Sequence, residues 1–428
     1  MSTESINIKG KRLLAIIGPG ILVAATGVGA GDLATAALTG IKLGPVILWA
    51  VIVGAIVKYV LNEGLTRWQL ATGQTLLEGS VAHFGRPILW LFLAYLVFWS
   101  FFVGAVLMSA CGVATHAMCP IFAEAANDKI LYGLLHSALA VVLIKLGGYR
   151  LFSKVMSLCI AVMFVVVVAT AVALAPSWSE VAAGLVTPRI PDGGLQWTVA
   201  LLGRIRRTVT VLCYGYWIRE EGRQSKDDLK TCRIDLAVGY GMTCLFGLAM
   251  VIIGSQTRSA DGKGVELIAN IANVLRAELG AIGPIARVAF LAGAWGAIFS
   301  SLLGVWQSIP YIFADFWRLM QAPRSQDTTS PNVVDTKALP YQIVLYAIAI
   351  IPTVGLCLIS FELIVKWYSI VGAMFIPILA MALLGLNGHS KWITRPYRNS
   401  WFTSLILVAA LVFFLIAGWF TIQSKLLN

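Results

Sequence analysis

Residues 18–32 read GPGILVAATGVGAGD and form the middle of a membrane-length apolar segment that glycines and one carboxylate interrupt. Glycine costs roughly 1 kcal/mol per helical position relative to alanine, so Gly27, Gly29 and Gly31 at alternate positions predict an unwound helix. A carboxylate at membrane depth, here Asp32, is rare and functional by default. Unwound backbone is tolerated there only where it is buried in protein or lines a cavity. An interrupted first helix with a lone acid is typical of a transporter.

The composition predicts an integral membrane protein. Of the 428 residues, 59% are hydrophobic and 12% are charged, and the mean hydropathy is +0.84, whereas soluble domains carry about 25% charged residues. The N-terminal tail, 1–12, is polar, and the apolar stretch after it is longer than the core of a signal peptide, which predicts a retained span. The seven cysteines are scattered, and this disfavours a disulfide framework or a zinc site.

Eleven segments reach the length of about 20 apolar residues that a helix needs to cross a bilayer. They lie at 13–40, 44–69, 87–115, 130–147, 151–175, 195–218, 234–254, 284–310, 340–359, 362–386 and 401–421. Loops on the side of the N-terminus carry 19 Lys and Arg residues against eight on the other side, which predicts a cytoplasmic N-terminus. An odd number of spans then puts the C-terminus on the opposite side. The net charge of +12 indicates attraction to the anionic lipid of a cell membrane, not to nucleic acid.

Span six contains a second candidate break. Residues 208–217 read TVTVLCYGYW and place Gly215 inside a polar and aromatic cluster. Interrupted helices at corresponding positions of two halves are the best sequence indication of an inverted-repeat transporter. Taken singly, each of these glycines is equally consistent with close helix packing. The predicted organisation is a first repeat at 13–175, a second repeat at 195–386 and an additional transmembrane helix at 401–421.

The chain resembles the Nramp family of divalent-metal transporters over nearly its whole length. The likeness rests on the Gly-Pro-Gly opening at 18–20 and on the tail of span two, NEGLTRWQLATGQT at 62–75. A looser match is AWGAIFSS at 294–301 in span eight. This resemblance implies an all-α integral membrane protein with a LeuT-type 5+5 inverted repeat and an eleventh transmembrane helix. It also implies a secondary transporter or facilitator of a divalent metal cation that works by alternating access.

At the metal-site positions the chain departs from the family pattern. The family's span-one break reads Asp-Pro-Gly-Asn, so Gly29 replaces the principal carboxylate ligand and Asp32 takes the asparagine position. Its Met-Pro-His in span six corresponds to Cys-Tyr-Gly at 213–215, and its carbonyl ligands correspond to Thr26 and Thr210. The family's proton-linked histidines of span six and acidic residues of span three have no counterpart. A divergent member with weak or no proton coupling is therefore expected.

Six residues make up the candidate substrate-binding site: Thr26, Gly29, Asp32, Thr210, Cys213 and Gly215. Asp32, Thr26 and Thr210 would give the hard oxygen ligands that suit Mg²⁺ or Mn²⁺. Cys213 would instead add a soft thiolate, which favours zinc or iron. Each side chain also has a structural alternative. Asp32 is suited to cap the helix after the break, which is compatible with binding a metal, and for Cys213 an inert buried thiol is the favoured interpretation.

Three arginines in span six would suit a different substrate, an anion or a small organic solute. If Arg204, Arg206 and Arg207 face a cavity, they would repel a divalent cation and attract an anion or a small organic solute. Alternatively, they would extend to the membrane interface. Lys58 and Glu63 in span two could form a local ion pair. A third hypothesis is a membrane sensor that keeps the scaffold without transporting.

Signatures of catalysis are missing from the sequence. It contains no nucleotide-binding loop, catalytic triad, haem motif or iron–sulfur motif. Neither an enzyme nor an ATP-driven pump is expected. The expected partners are a small ion or solute and the lipid bilayer, with no cofactor apart from a divalent cation as cargo, and the sequence carries no indication of oligomeric state.

Overall fold

The computed structural model describes residues 18–203, 209–257, 260–262, 264–321 and 334–423, and within these ranges the chain is helical with no β-strand. The helices are α1 Pro19–Thr26, α2 Ala30–Leu43, α3 Leu48–Thr72, α4 Leu76–Phe84, α5 Pro87–Met118, α6 Ala125–Ala173, α7 Trp178–Val186, α8 Leu195–Gly203, α9 Cys213–Glu220, α10 Leu229–Gln256, α11 Val265–Glu278, α12 Gly283–Gln321, α13 Leu339–Leu358, α14 Phe361–Ala373, α15 Phe375–Gly388 and α16 Trp401–Ile422. Short 3-10 turns precede α3 at Gly44–Ile47 and α9 at Val209–Leu212.

Eight helical stretches of the described chain are long and apolar enough to cross a membrane. The difference from the eleven expected spans has two causes. Spans four and five lie in the single run α6, which bends at Gly148, where φ is 53° and ψ is −152°. Spans one and six are interrupted, so their α1 and α9 halves are only eight residues long.

Span ten is also interrupted, which the sequence reasoning did not predict. Helix α14 ends at Ala373 and α15 begins at Phe375. The cause is visible in the sequence, because Pro377 has no N–H to donate to the carbonyl four residues earlier. Between spans seven and eight, Val265–Glu278 form the short helix α11.

The helices pack in two groups. Helix α10 contacts α1, α2 and α3, whereas α12 contacts α5, α6, α11 and α13 and is buried along most of its length. Helix α1 touches both groups, through α10 on one side and α12 on the other. The break that follows α1 therefore lies at the boundary between the two groups.

Glycines bring spans one and seven into backbone contact. A Cβ added to Gly239 of α10 would lie 2.3 Å from the carbonyl oxygen of Gly20 in α1. A Cβ added to Gly254 would lie 2.0 Å from the carbonyl oxygen of Ala37 in α2. Small residues allow this approach because no side chain separates the two backbones. Helix α10 is thus fixed to span one on both sides of the break.

Candidate functional site

The break in span one is an extended segment between α1 and α2. Gly27 and Val28 are not helical, and Gly29 has extended backbone angles, with φ −95° and ψ 178°. Ser301 of α12 donates its hydroxyl hydrogen to the carbonyl oxygen of Val28 at 2.9 Å. This bond replaces a helical hydrogen bond that the break has removed. The predicted interruption of span one is confirmed.

Asp32 lies in the first turn of α2, directly after the break. Its Oδ2 accepts the backbone N–H of Gly29 at 3.2 Å, so the predicted capping role is confirmed. Asp32 also lines a cavity of about 80 Å³, together with residues of α2, α3, α8 and α10. The polar residues on its wall are Asp32, Thr35, Lys58, Thr243 and Cys244. A capping carboxylate with a second oxygen is chemically able to hold a cation as well.

Two of the predicted ligands lie on the other side of span one, against α12. The hydroxyl of Thr26 donates to the carbonyl of Leu22 at 2.7 Å, and its side chain packs on Gly304. The Sγ of Cys213 lies 3.5 Å from the carbonyl oxygen of Ser308, one turn further along α12. Both side chains are buried and engaged in local contacts. The structural reading of Cys213 as a buried thiol is therefore the better description.

Thr210 lies in the 3-10 turn before α9 and is fully buried. Its hydroxyl has no hydrogen-bond partner among the described residues. Thr26, Thr210 and Cys213 are not among the described residues that line the cavity next to Asp32. That these four residues form one metal site stays a prediction; of the four, Asp32 lines the cavity described here. Across the described ranges, no cluster of three or more His, Cys, Asp or Glu side chains could hold a metal ion.

Gly215 does not mark the break in span six, contrary to the sequence reasoning. It lies inside α9, and the helix is interrupted earlier, before Cys213. The side-chain amide of Gln69 in α3 donates to the carbonyl of Gly215 at 2.6 Å, and a Cβ on Gly215 would lie 2.0 Å from Gln69 Oε1. This glycine therefore permits close packing of α3 on α9. Gly29, in contrast, has room for a side chain, since a Cβ there would lie at an ordinary contact distance of 3.6 Å from Ser301 Oγ.

The local ion pair suggested for Lys58 and Glu63 is not formed. Glu63 accepts from Arg67 at 2.7 Å and from Arg233 of α10 at 2.7 Å. Lys58 forms no ion pair with any described residue, and its side chain contributes to the cavity wall beside Asp32. The arginines proposed to attract an anion, Arg204, Arg206 and Arg207, lie outside the described residues.

A buried carboxylate missed by the sequence reasoning holds the first turn of α1. Asp235 of α10 accepts the backbone N–H groups of Gly18 at 2.9 Å and Gly20 at 2.8 Å. It also accepts from Tyr214 at 3.1 Å and from Arg223 at 3.0 Å. Burial acts to lower the pKa of the Arg223 guanidinium, but Asp235, Tyr214 and Cys232 together raise it above its usual value. The sequence feature that could have revealed this contact is an aspartate at the start of span seven, directly after a basic segment.

A second charged cluster holds α9. Tyr216 donates its hydroxyl to Asp315 of α12 at 2.6 Å, and Arg318 pairs with both Asp315 and Glu78 of α4. Tyr311 of α12 donates to a carboxylate at the end of α9 at 2.8 Å. Buried charges thus fix α1 and α9 at their ends on one side of the molecule. The Asp32 cavity lies beyond the break in span one.

These features define a class of protein: a multi-pass helical membrane protein with interrupted helices and a cavity beside the break in span one. The family model described as "Natural resistance-associated macrophage protein-like" matches residues 20–423. The chain belongs to this family, Nramp, and is a divergent member at the usual metal-site positions.

Curated relatives resemble the chain over part of its length. An uncharacterised protein of Pasteurella multocida is 26% identical over 288 residues, which are 65% of each chain. The divalent metal cation transporter MntH of Chromohalobacter salexigens is 24% identical over 58% of each chain. MntH of Burkholderia ambifaria is 23% identical over 65% of this chain and 63% of the relative. The chain therefore matches just under two thirds of the length of these relatives.

Solved structures resemble the chain over nearly all of it. The Eremococcus coleocola manganese transporter, crystallised with an aromatic bis-isothiourea substituted compound, has a TM-score of 0.74 and 15% identity and covers 97% of this chain and 87% of its own. MhsT in complex with L-phenylalanine has a TM-score of 0.51 and 15% identity, covering 95% and 98%. The expected fold class, an all-α membrane protein of LeuT type, is confirmed. The residue boundaries of the two repeats remain a prediction.

Proposed function

We propose that the chain is a secondary transporter or facilitator that moves a divalent cation of the Mg²⁺ or Mn²⁺ type by alternating access. The observation that carries the proposal is Asp32, an acidic residue that lines a cavity directly after the break in span one. Membership of the Nramp family and the names of the MntH relatives favour a metal cation over an anion.

The ligand chemistry of the cavity favours a hard cation that keeps part of its hydration shell. One carboxylate, Asp32, and the hydroxyls of Thr35 and Thr243 offer oxygen atoms. The hydroxyl of Thr35 is buried and has no hydrogen-bond partner among the described residues. A magnesium ion typically needs only one or two carboxylates because it retains several waters. Cys213, the soft ligand that the sequence suggested, is engaged elsewhere, and the thiol on the described cavity wall is that of Cys244.

Proton coupling is proposed to be weak or absent. Span three, which forms α5, contains no Asp or Glu. The proposed setting is a cell membrane, with the N-terminus in the cytoplasm and the C-terminus on the opposite side. In this orientation the charged clusters around Asp235 and Asp315 lie at the cytoplasmic ends of α1 and α9, and the Asp32 cavity lies on the outer side of the break.

Uptake by proteoliposomes tests the proposal. Purified protein is assayed with Mg²⁺, Mn²⁺ and Zn²⁺ in parallel with organic anions. We expect uptake of Mn²⁺ or Mg²⁺ that Asp32→Ala abolishes, because the only carboxylate among the described residues of the cavity wall is lost. Asp192→Ala removes the same charge from an exposed loop and should retain uptake.

Two results would reject the cation hypothesis. Anion flux that depends on Arg204, Arg206 and Arg207 but not on Asp32 would indicate the anion transporter. No flux for any solute by a well-folded protein would indicate a sensor.

A further inference from the structure

We propose that His83, Trp392 and His389 form a pH-sensitive aromatic clip, which fastens α4 to the segment between α15 and α16 while both imidazoles are neutral and opens when they are protonated. Opening of the clip would loosen a contact that braces the half-helix α9. The clip itself stands on the geometry of the rings, whereas its effect on uptake rests on the proposed function.

Three rings from two distant parts of the chain are stacked. The centroid of the Trp392 indole lies 4.3 Å from that of His83 in α4, with 20° between the ring planes. It lies 4.4 Å from the centroid of His389, with 22° between the planes. Two imidazoles at these distances would overlap if they shared one face of the indole, so Trp392 lies between them. Stacked aromatic rings attract each other beyond the apolar area that they bury.

Two further rings pack edge-on against the clip. Trp68 of α3 meets His83 at 5.7 Å and 85°, and Phe84 of α4 meets Trp392 at 5.9 Å and 81°. Trp68 is fully buried, whereas His389 is exposed to solvent. Protons therefore reach the clip from the side of His389.

The contacts of the clip favour neutral imidazoles. The Nδ1 atom of His389 accepts the backbone N–H of Lys391 at 3.4 Å, so this nitrogen carries no proton. Burial lowers the pKa of His83, and the neighbouring His389 lowers it further. The stability that the clip contributes is therefore fully present above the ordinary histidine pKa of about 6.5 and is lost as the pH falls below it.

The surroundings of the clip do not compensate two added positive charges. One imidazolium is attracted to the face of an indole, but charges on both faces repel each other. The nearest acids along α3 and α4, Glu63 and Glu78, are already paired with arginines. The segment 389–400, HSKWITRPYRNS, contains no acidic residue. The remaining charged groups on the adjoining parts of α3, the α4–α5 turn and this segment are basic: Arg67, Arg86, Lys391, Arg395 and Arg398.

Helix α4 connects the clip to span six. Glu78 of α4 pairs with Arg318 of α12, and its Oε2 atom lies 3.7 Å from Nη2 of Arg219 in α9. On the other side, Arg67 of α3 donates to the carbonyl oxygen of Tyr397 at 2.8 Å. The clip therefore joins a helix that braces α9 to a segment that is anchored on α3.

Protons should shift the molecule towards the state in which the rings are apart. A ligand favours the state that binds it more tightly, and separated imidazoles bind protons more tightly than those in the clip. In alternating access, one group of helices moves against the other, so the end of α9 has to be released when its side opens. Acid is therefore expected to speed transport while it lowers the stability of the structure described here.

The test replaces each imidazole with a ring that cannot take up a proton. His83→Phe and His389→Phe keep an aromatic ring in the stack and remove the titration. Ser390→Phe is the matched control, because it adds a phenyl ring at an exposed position of the same segment and keeps both histidines. Unfolding temperatures in detergent and initial rates of Mn²⁺ uptake are measured at pH about 7.5 and about 5.5, with equal pH on both sides of the proteoliposome membrane.

We expect the unmodified protein and Ser390→Phe to unfold at a lower temperature at the acid pH. The fall should be smaller by about 2 °C in both histidine variants. Uptake by the unmodified protein should be about two- to tenfold faster at the acid pH, which is the effect of losing one aromatic contact. Uptake by the histidine variants should change by less than about twofold, a difference that a purely structural role of the rings would not produce. If His83→Phe does not fold, His389→Phe, at the exposed end of the stack, decides the test.

The possible failures differ from one another. If the histidine variants keep the full acid response of the unfolding temperature, the clip is refuted. Acid stabilisation of the unmodified protein that these variants lose would also refute it, because attraction between imidazolium and indole would then hold the rings together. Uptake by the unmodified protein that does not change with pH would refute the connection to α9. If the unfolding temperatures respond as expected but no divalent cation is taken up, the clip stands and the proposed function fails.

Discussion

Gly254→Ala should separate α2 from α10 and destabilise the protein. The added Cβ would lie 2.0 Å from the carbonyl oxygen of Ala37, and ordinary contact begins at 3.4 Å. The backbones must therefore move apart by about 1.4 Å, because neither contacting atom belongs to a flexible side chain. Overpacking of this kind costs about 1–3 kcal/mol. Since α2 carries Asp32 and α10 forms the opposite cavity wall, Mn²⁺ uptake should fall as well.

The matched control for this change is Gly241→Ala in the same helix. Gly241 is exposed, and a Cβ there would meet no atom within 4 Å. Both substitutions gain the same helix propensity, roughly 1 kcal/mol, so the difference between them isolates the packing cost. Thermal unfolding in detergent, followed by size exclusion, should place Gly254→Ala several degrees below Gly241→Ala. Equal unfolding temperatures would refute the backbone contact between α2 and α10.

Two further substitutions test the contacts on either side of the break. Asp235→Ala removes the carboxylate that holds the first turn of α1 and neutralises Arg223, and loss of a buried pair of this kind costs about 3–5 kcal/mol. Its unfolding temperature should fall sharply, and a change of less than one degree would contradict the assignment. Ser301→Ala removes the hydroxyl that donates to Val28, a bond that contributes about 1 kcal/mol, and should reduce the rate of uptake without abolishing it. Ser300→Ala is the control, because that hydroxyl bonds within its own helix, and an equal effect of both changes would show that the bond to Val28 does not matter.

The sequence predicted the break in span one because its causes are local. Gly27 and Gly29 lower helix propensity at adjoining turns, and Asp32 is placed three residues after Gly29, which is the spacing of a helix cap. Hydrophobic length likewise located the spans. These features depend on short-range interactions that composition and spacing specify directly.

The grouping of the site residues depended on long-range packing and could not be predicted. The break in span one ends the helical periodicity of α1, and α2 begins a new one. Asp32 and Thr26 therefore need not share a face, although only six positions separate them. One of the two partners of Glu63 is Arg233, 170 residues away in α10. The amide that fills the space over Gly215 comes from Gln69, 146 residues earlier. Such pairings depend on how each helix is rotated about its own axis relative to its neighbours, and no local sequence pattern specifies that rotation.

The location of bound manganese tests the central claim most directly. Crystals of the protein soaked in Mn²⁺ would be measured by anomalous scattering, for the unmodified chain and for Asp32→Ala. We expect a peak at ligand distance from the Asp32 carboxylate, in the cavity between α2, α3 and α10, and its loss in Asp32→Ala. A peak between Thr26 and Cys213 that persists in Asp32→Ala would contradict the account.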